Sequence, residues 1–130
     1  MDEKKLFSLL KEKLIPDLEK TDLFNPKDCT STSLNLSIEL KCRKYHYDYL
    51  LLEKKKYDSL IKNKRIRYIC STPKGIYSFN LKKLKDIVWF NDWLPATTDF
   101  YNSEMVMKEI TFLNINDATN ISNQLGYTFQ

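Results

Sequence analysis

The sequence predicts an α/β domain, with some α+β character, in which a central mixed β-sheet is flanked by helices. Three observations predict it: an amphipathic segment at the N-terminus, a strict alternation of apolar and polar residues over 33–43, and several short apolar runs separated by turn residues in the second half. The 130 residues suit one domain spanning 1–130, and 42% hydrophobic residues suffice for its core.

The first element is an amphipathic helix from Asp2 to about Leu14. Its apolar stripe consists of leucines at helical spacing, Leu6, Leu9, Leu10 and Leu14. Pro16 is expected to bend or end the helix, because proline lacks the amide hydrogen that continues it. The chain from Thr21 to Ser31 contains Asn25-Pro26 and small polar residues, which predict irregular chain with at most a short strand.

The clearest strand signal covers Ser33 to Arg43. Its apolar side comprises Leu34, Leu36, Ile38, Leu40 and Cys42, and its polar side comprises Asn35, Ser37, Glu39, Lys41 and Arg43. A buried strand at Tyr49–Leu52 and a short helix at Lys54–Lys62 are predicted next. One face of that helix is shared by residues at i, i+3, i+4 and i+7, namely Glu53, Lys56, Tyr57 and Leu60.

The second half predicts a meander that ends in a helix. The expected strands are Arg67–Cys70, Ile76–Phe79, Ile87–Trp93 and Met105–Leu113, the first two joined by a turn that contains Pro73 and Gly75. The last helix is expected over Asp117–Gln124, with Asn116 or Asp117 near its N-cap and Gly126 just beyond its end.

Composition argues against several classes of function. Two glycines are too few for a glycine-rich loop that cradles phosphates, and no apolar run approaches the length of a membrane span. The three cysteines are odd in number and show no CxxC spacing, which argues against a disulfide framework and a zinc site. The single histidine, His46, is expected at the surface. Because no secretory signal is recognisable, the protein is expected in the cytoplasm.

Positive charge is concentrated in the segment from Lys41 to Arg67. This segment holds ten basic and three acidic residues, a net charge of +7, whereas the remainder has a net charge of −3. Such concentration favours a polyanionic partner, because neutralising phosphates releases counterions. The alternative is that these lysines form solvated faces that keep a small domain soluble.

The strongest candidates for chemistry are Asp28, Glu39 and Lys41. Glu39 and Lys41 are two residues apart on one strand, so they project from the same face, roughly 6.5–7 Å apart along the chain. A carboxylate pair from Asp28 and Glu39 suits a hard cation such as Mg²⁺ or Mn²⁺, and the carbonyl of Leu40 would be a third ligand. Lys41 would then orient or deprotonate a water, or offset the charge that builds on a phosphate.

These residues also carry a resemblance to a known family. The stretch Ile38-Glu39-Leu40-Lys41-Cys42-Arg43 resembles the Glu-x-Lys strand of the PD-(D/E)XK nuclease superfamily, and residues 49–57, Tyr49-Leu50-Leu51-Leu52-Glu53-Lys54-Lys55-Lys56-Tyr57, resemble the next strand and helix of small phage-type members. Residues 93–98, Trp93-Leu94-Pro95-Ala96-Thr97-Thr98, and Lys108 are similar to the tail of such phage proteins. The resemblance covers about residues 25–113.

The resemblance implies a restriction-endonuclease-like core that hydrolyses phosphodiester bonds, preferably of DNA. Asp28 and Glu39 would be its metal ligands and Lys41 its catalytic lysine, while Lys56 would contact phosphate or, with Glu53, support the site. The sequence departs from the family at Asp28, which follows lysine instead of proline, and at Lys56, which replaces the usual glutamine. An acid of the N-terminal helix, for example Glu12, is a further candidate.

The expected partner is nucleic acid, held by a group of basic residues, Arg43, Lys54, Lys56, Lys62 and Arg65. A chain of this size offers little surface for a duplex, which favours a homodimer or a partner protein. Three aromatic residues, Tyr45, Tyr47 and Tyr49, either stack on bases or, as is more usual, pack in the core. Trp89, Phe90 and Trp93 are expected between sheet and helix or in a dimer contact.

Three alternatives to a nuclease stay open at this point. Glu39 and Lys41 would form a weak surface pair if their face of the strand were exposed to solvent. The chain would be a non-catalytic module if it bound nucleic acid in a salt-sensitive way without cleaving it. It would be a phage assembly component if its aromatic second half served only to oligomerise.

Overall fold

The computed structural model describes residues 1–22, 27–96 and 104–127. Within these ranges the regular elements, in chain order, are α1 (Glu3–Lys13), β1 (Glu19–Lys20), β2 (Cys29–Ser31), β3 (Leu36–Cys42), β4 (Tyr49–Glu53), α2 (Lys54–Leu60), β5 (Ile66–Thr72), β6 (Gly75–Phe79), β7 (Phe90–Pro95), β8 (Met105–Asn114) and β9 (Thr119–Asn120). Short 3₁₀ turns cover Leu81–Lys83 and Ile115–Asp117.

Helix α1 forms where the leucine stripe predicts it. Asp2 is its N-cap, and the side-chain oxygen of Asp2 accepts a hydrogen bond from the amide of Lys5 at 2.8 Å. Leu6 and Leu10 are fully buried on the side that faces the sheet. The helix ends at Lys13, shortly before Pro16, because proline cannot continue the hydrogen-bond ladder.

The capping contact gives a measurable contribution to stability. Asp2→Ala removes the acceptor of the Lys5 amide and should cost about 1 kcal/mol of the free energy of unfolding. Urea unfolding followed by circular dichroism measures this difference. Glu12→Ala is the matched control, since Glu12 lies on the exposed side of the same helix and should change stability by less than about 0.5 kcal/mol. Equal costs for the two variants would contradict the assigned cap.

The main sheet is mixed and has six strands in the order β1-β2-β3-β5-β6-β9. Only β3 and β5 run parallel; the other neighbouring pairs are antiparallel. The parallel pair requires a crossover, which β4 and α2 supply between the two strands. A central mixed sheet flanked by helices is therefore confirmed.

The alternation in β3 divides its residues between the two faces of this sheet. Ile38 and Leu40 pack with the buried leucines of α1 in one hydrophobic cluster. Glu39 and Lys41 lie on the opposite face, in register with Tyr68 and Cys70 of β5. That face is covered as well, so the interpretation of Glu39 as an exposed surface residue is wrong: only 7% of Glu39 is exposed.

The cover on the second face is α2 together with a separate three-stranded sheet of order β4-β8-β7. The sequence predicted one meander instead. The difference arises because every residue of β6 is buried, so this strand must be covered on both faces. The apolar sides of β4 and β8, with Leu50, Leu52 and Leu113, provide that second cover.

Three local predictions are wrong. No helix forms over Asp117–Gln124; instead β9 pairs with β6, and the oxygen of the Asn120 side chain accepts a hydrogen bond from the Ser122 amide at 3.0 Å. Such side chains compete for backbone groups and so disfavour a helix interior. The strand predicted from Ser33 begins at Leu36, after a turn in which Asn35 has a φ of +50°. The strand predicted from Ile87 begins only at Phe90.

The three cysteines are free thiols, as their spacing predicts. Burial raises the pKa of Cys29 and of Cys70 to about 12, so both stay protonated and are poor nucleophiles. Among the residues that the structure describes, no helix combines the length and the apolar character needed to cross a membrane.

Candidate active site

The site is built on an open stretch of the edge of β3. Strand β2 pairs with β3 only as far as Ile38, which lies opposite Cys29. The amides of Ser37 and Arg43 donate to carbonyls on the β5 side, at 2.9 and 2.7 Å. Because backbone groups alternate in direction along a strand, the amide and carbonyl of Leu40 point to the other side, toward the open edge.

Asp28 occupies this edge in place of a neighbouring strand. Continuing the β2–β3 register by one residue puts Asp28 opposite Glu39. The amide of Asp28 donates to the carbonyl of Ile38 at 3.0 Å, and its Oδ2 accepts from the amide of Leu40 at 2.7 Å. The carboxylate is thereby fixed beside Leu40, whose carbonyl points to the same side of the strand.

Glu39 brings a second carboxyl group to the same place. It lies within hydrogen-bonding range of the Asp28 carboxyl, and its Oε2 is 3.3 Å from Nζ of Lys56 on α2. Burial, and then the hydrogen bond with and the charge of Asp28, raise the pKa of Glu39 to about 8, against a smaller lowering effect of Lys56. With its pKa at about 8, Glu39 is largely protonated at neutral pH.

Glu3 is a third acid near this pair, and sequence reasoning missed it. Burial and the charge of Asp28 raise the pKa of Glu3, while Lys41 and Lys56 act in the opposite direction. Glu12, the acid suggested from the sequence, instead has a side chain 70% exposed and pairs weakly with Lys13 at 3.7 Å.

Two lysines stand beside the three acids. Lys41 is partly buried on the Glu39 face of β3, and within the described ranges its ammonium group makes no hydrogen bond or ion pair. Lys56 reaches Glu39 from α2 with 42% of its side chain exposed. The structure thus brings Asp28, Glu39, Lys41 and Lys56 together, and their roles in catalysis stay predictions.

Comparison with solved structures decides the fold. The chain is similar to Hjc from Archaeoglobus fulgidus, described as a Holliday junction resolvase from an archaeal hyperthermophile, with a TM-score of 0.56, 16% identity, and coverage of 99% of this chain and 100% of that chain. The chain therefore has a restriction-endonuclease-like fold, with a mixed central sheet and two helices. No protein-family model and no curated protein sequence matches it.

This restriction-endonuclease-like core confirms the fold that the resemblance predicted. The structure places the Glu-x-Lys pair on β3, beside the parallel neighbour β5. Two parts of the resemblance, Pro26 ahead of Asp28 and Thr97-Thr98 in the tail, lie outside the described residues.

The donor atoms at the site fit a hard divalent cation. Within the described ranges no group of three or more histidine, cysteine, aspartate or glutamate residues is arranged to hold a metal. Mg²⁺ needs fewer protein ligands, because it binds through one or two carboxylates and keeps several waters. Asp28 and Glu39 supply such a pair of oxygen ligands, and the repulsion by Asp28 that helps to raise the pKa of Glu39 is the kind that a cation would relieve.

A small cleft borders Asp28. Its volume is about 210 Å³, and its lining includes Glu3, Lys4, Lys20, Asp28 and Leu40. Lys4 and Lys20 lie outside the basic segment at 41–67, so the charge distribution along the sequence gave no indication of them. They add positive charge to the lining of the cleft that contains Asp28.

The predicted nucleic-acid contacts fall into two groups. Lys62 and Arg65 are exposed, although Arg65 also donates to the carbonyl of Leu34 at 2.7 Å. Arg43 is turned inward: its Nη2 donates to the carbonyl of Leu51 at 2.7 Å, and its buried Nε has no hydrogen-bond partner in the described part of the chain. The guanidinium of Arg43 is therefore already bonded to another part of the protein.

Lys54 and Glu53 also have partners within the fold. Nζ of Lys54 is 2.8 Å from Asp58, one helical turn away, and lies 5.7 Å from the centre of the Trp89 ring. Glu53 accepts from Nζ of Lys108 at 2.7 Å, which ties β4 to β8. Lys54 thus connects α2 to Trp89, just ahead of β7, whereas Glu53 links two strands of the three-stranded sheet.

Proposed function

We propose that this chain is a metal-dependent nuclease that hydrolyses phosphodiester bonds of DNA. The observation that carries the proposal is the carboxyl pair of Asp28 and Glu39, held at the open edge of β3 with Lys41 and Lys56 beside it. The similarity in fold to a protein described as a Holliday junction resolvase supports DNA as the substrate.

Asp28, Glu39 and the carbonyl of Leu40 would hold Mg²⁺ or Mn²⁺ in this proposal. The ion would supply positive charge that offsets the charge of the attacked phosphate. The hydrogen bond from the Leu40 amide to Asp28 keeps that carboxylate directed toward the site. Lys56 stabilises the charged form of Glu39, which is the form that binds a cation.

Lys41 is the residue of the chain that would act on the scissile phosphate. It shares a face with Glu39 two residues earlier in β3, so its ammonium group would reach the region next to the carboxyl pair. There it would donate hydrogen bonds to phosphate oxygens as negative charge builds on them, and would orient the attacking water. This role of Lys41 is tested by the decrease in cleavage rate when the lysine is replaced.

Binding of the DNA backbone would involve basic residues around the cleft. Lys4 and Lys20 line the cleft, and Lys62 and Arg65 are exposed within the basic segment. Contacts of this kind make affinity fall steeply with salt concentration. A homodimer or a partner protein would supply the further surface that a duplex requires. We expect the protein to act in the cytoplasm, as a phage-type nuclease would in its host.

The proposal is tested by incubating the protein with single-stranded, duplex and four-way-junction DNA in Mg²⁺, in Mn²⁺ and in EDTA. We expect cleavage only with a cation, and a rate about 10²–10⁴-fold lower for Lys41→Ala. Lys55→Ala is the control, because Lys55 is an exposed lysine on α2. Cleavage in EDTA, or equal rates for parent and Lys41→Ala, would contradict the proposal. Salt-sensitive binding without cleavage would favour the non-catalytic module.

A further inference from the structure

Three tyrosines that follow β3 are exposed to solvent. Tyr45, Tyr47 and Tyr49, the tyrosine row, have exposed fractions of 61%, 61% and 57%. The expectation that they pack in the core is therefore wrong. Aromatic side chains bury large areas in most folds, and exposed apolar patches mark interaction sites. Three exposed rings within five residues therefore indicate a surface that a ligand covers.

The backbone between these rings is anchored to the body of the protein. The ring of His46 is nearly buried, with 10% of its side chain exposed, and its Nδ1 is 2.8 Å from Oγ1 of Thr72. The amide of Ile115 donates to the carbonyl of Asp48 at 3.0 Å. His46 is thus not the surface residue expected from the sequence, and its burial helps to direct the neighbouring tyrosines outward.

The tyrosine row begins close to the proposed nuclease site. Tyr45 lies four positions after Lys41 in the chain, which limits the distance between their Cα atoms to at most about 14 Å. Nζ of Lys44 lies 5.7 Å from the centre of the Tyr45 ring. A DNA strand whose phosphate lies at Lys41 therefore has aromatic rings and a further cation within reach of its next nucleotides.

Tyr47 and Tyr49 also line a cleft of about 1040 Å³ on the outer side of the three-stranded sheet. Its apolar walls include exposed or partly exposed side chains, Leu51, Val88, Phe90 and Phe112. Phe90 and Phe112 pack against each other with ring centres 5.6 Å apart. The cleft therefore presents flat apolar surfaces, against which planar groups can stack.

The charges around this cleft decide which part of a nucleotide enters it. Its acidic residues are Asp48, Asp86 and Asp117, and its basic residues are Lys85 and Arg43, the latter already bonded to the carbonyl of Leu51. A phosphate inside the cleft would be repelled by this excess of acid. A nucleobase is uncharged at neutral pH and stacks on tyrosine, so the base would enter while the phosphates remain near Lys41 and Lys44.

We propose that the tyrosine row and the adjoining cleft bind unpaired nucleobases, so that the preferred DNA carries a single-stranded segment next to the scissile bond. The inference rests on the proposed nuclease function, since it takes the strand position from Lys41. It names a substrate class, DNA in which duplex meets unpaired nucleotides. A segment of a partner protein in the same cleft is the competing outcome.

The test measures binding in EDTA, where no cleavage is expected, by fluorescence anisotropy. The probes are a labelled duplex, the same duplex with an oligothymidylate overhang, and oligothymidylate alone. We expect the triple variant Tyr45→Ala, Tyr47→Ala, Tyr49→Ala to bind the overhang duplex more weakly, by roughly 5- to 150-fold for each stacked base that is lost. Affinity for the plain duplex should stay unchanged.

Control variants separate stacking from other effects. The triple change to phenylalanine keeps the rings and should keep the affinity for the overhang, and Trp93→Ala removes an exposed aromatic residue of β7 outside this cleft. If the triple alanine variant does not fold, Tyr47→Ala alone is compared with Tyr47→Phe.

Equal affinity of the alanine variant and the parent for the overhang would overturn the inference and leave the cleft to a protein segment. An equal loss on the plain duplex would also overturn it. A parent that cleaves DNA but shows no preference for the overhang contradicts this inference alone, whereas a parent that never cleaves contradicts the nuclease.

Discussion

Replacing Glu39 with glutamine is expected to reduce DNA cleavage by about 1000-fold or more while the fold survives. Glutamine has nearly the same shape but no negative charge, so it is a poor ligand for Mg²⁺. The loss of a cation that stabilises the reacting phosphate removes several kcal/mol from the stabilisation of the transition state, and each 1.36 kcal/mol corresponds to a factor of ten in rate. Because Glu39 is buried at this one site, the loss of cleavage rate reports on that site alone.

The measurement is the single-turnover rate of the parent and of Glu39→Gln on the DNA that the parent cuts best. Glu12→Gln is the matched control, because Glu12 is an exposed acid on α1 and should leave the rate unchanged. Circular dichroism establishes that both variants are folded. A Glu39→Gln variant that retains more than about a tenth of the parental rate would show that the carboxyl pair does not carry the reaction.

The second large effect concerns stability as a function of pH. The pKa of Glu39 is raised from 4.5 to about 8 in the folded protein, so the folded state binds a proton more tightly than the unfolded state. The stabilising contribution of this group is complete below about pH 4.5 and is lost as pH rises through about 8. One unit of pKa corresponds to about 1.4 kcal/mol, so the loss is on the order of a few kcal/mol.

Thermal unfolding in EDTA across this pH range measures the loss directly. As pH rises from about 5 to 9, the parent should lose stability relative to Glu39→Gln. The buried amide of the variant does not titrate, so its stability lacks this pH dependence. Addition of Mg²⁺ should restore more stability to the parent at high pH than at low pH, because cation and proton compete for the same carboxyl oxygens. If the difference between parent and variant did not change with pH, the raised pKa of Glu39 would be contradicted.

The parts of the site that sequence alone predicted depend on local periodicity. Glu39 and Lys41 share a face because a strand repeats every two residues, and this needs no knowledge of the rest of the fold. Helical periodicity could have predicted the position of Glu3 in the same way. Glu3 precedes Leu6 by three residues and Leu10 by seven, so although exposed it starts from the same face of α1 as these buried leucines, whereas Glu12 does not.

Other parts of the structure depend on long-range pairing, which local periodicity does not give; only the family resemblance indicated that Asp28 joins Glu39. Asp28 reaches Glu39 only through the register of β2 on β3, and the separate sheet of β4, β8 and β7 exists because β6 must be covered on both faces. The exposure of the tyrosine row likewise depends on which residues fill the space around His46. Local patterns carry no information about these contacts.

The central claim, that Asp28 and Glu39 bind one divalent cation together, is tested most directly by titrating Mn²⁺ into the metal-free protein and following the free ion by electron paramagnetic resonance. We expect the parent to bind one ion, with an affinity that increases as pH rises through about 8, and we expect Asp28→Asn and Glu39→Gln each to abolish this binding. Undiminished Mn²⁺ binding in either variant, or its absence in the parent at high pH, would contradict the claim.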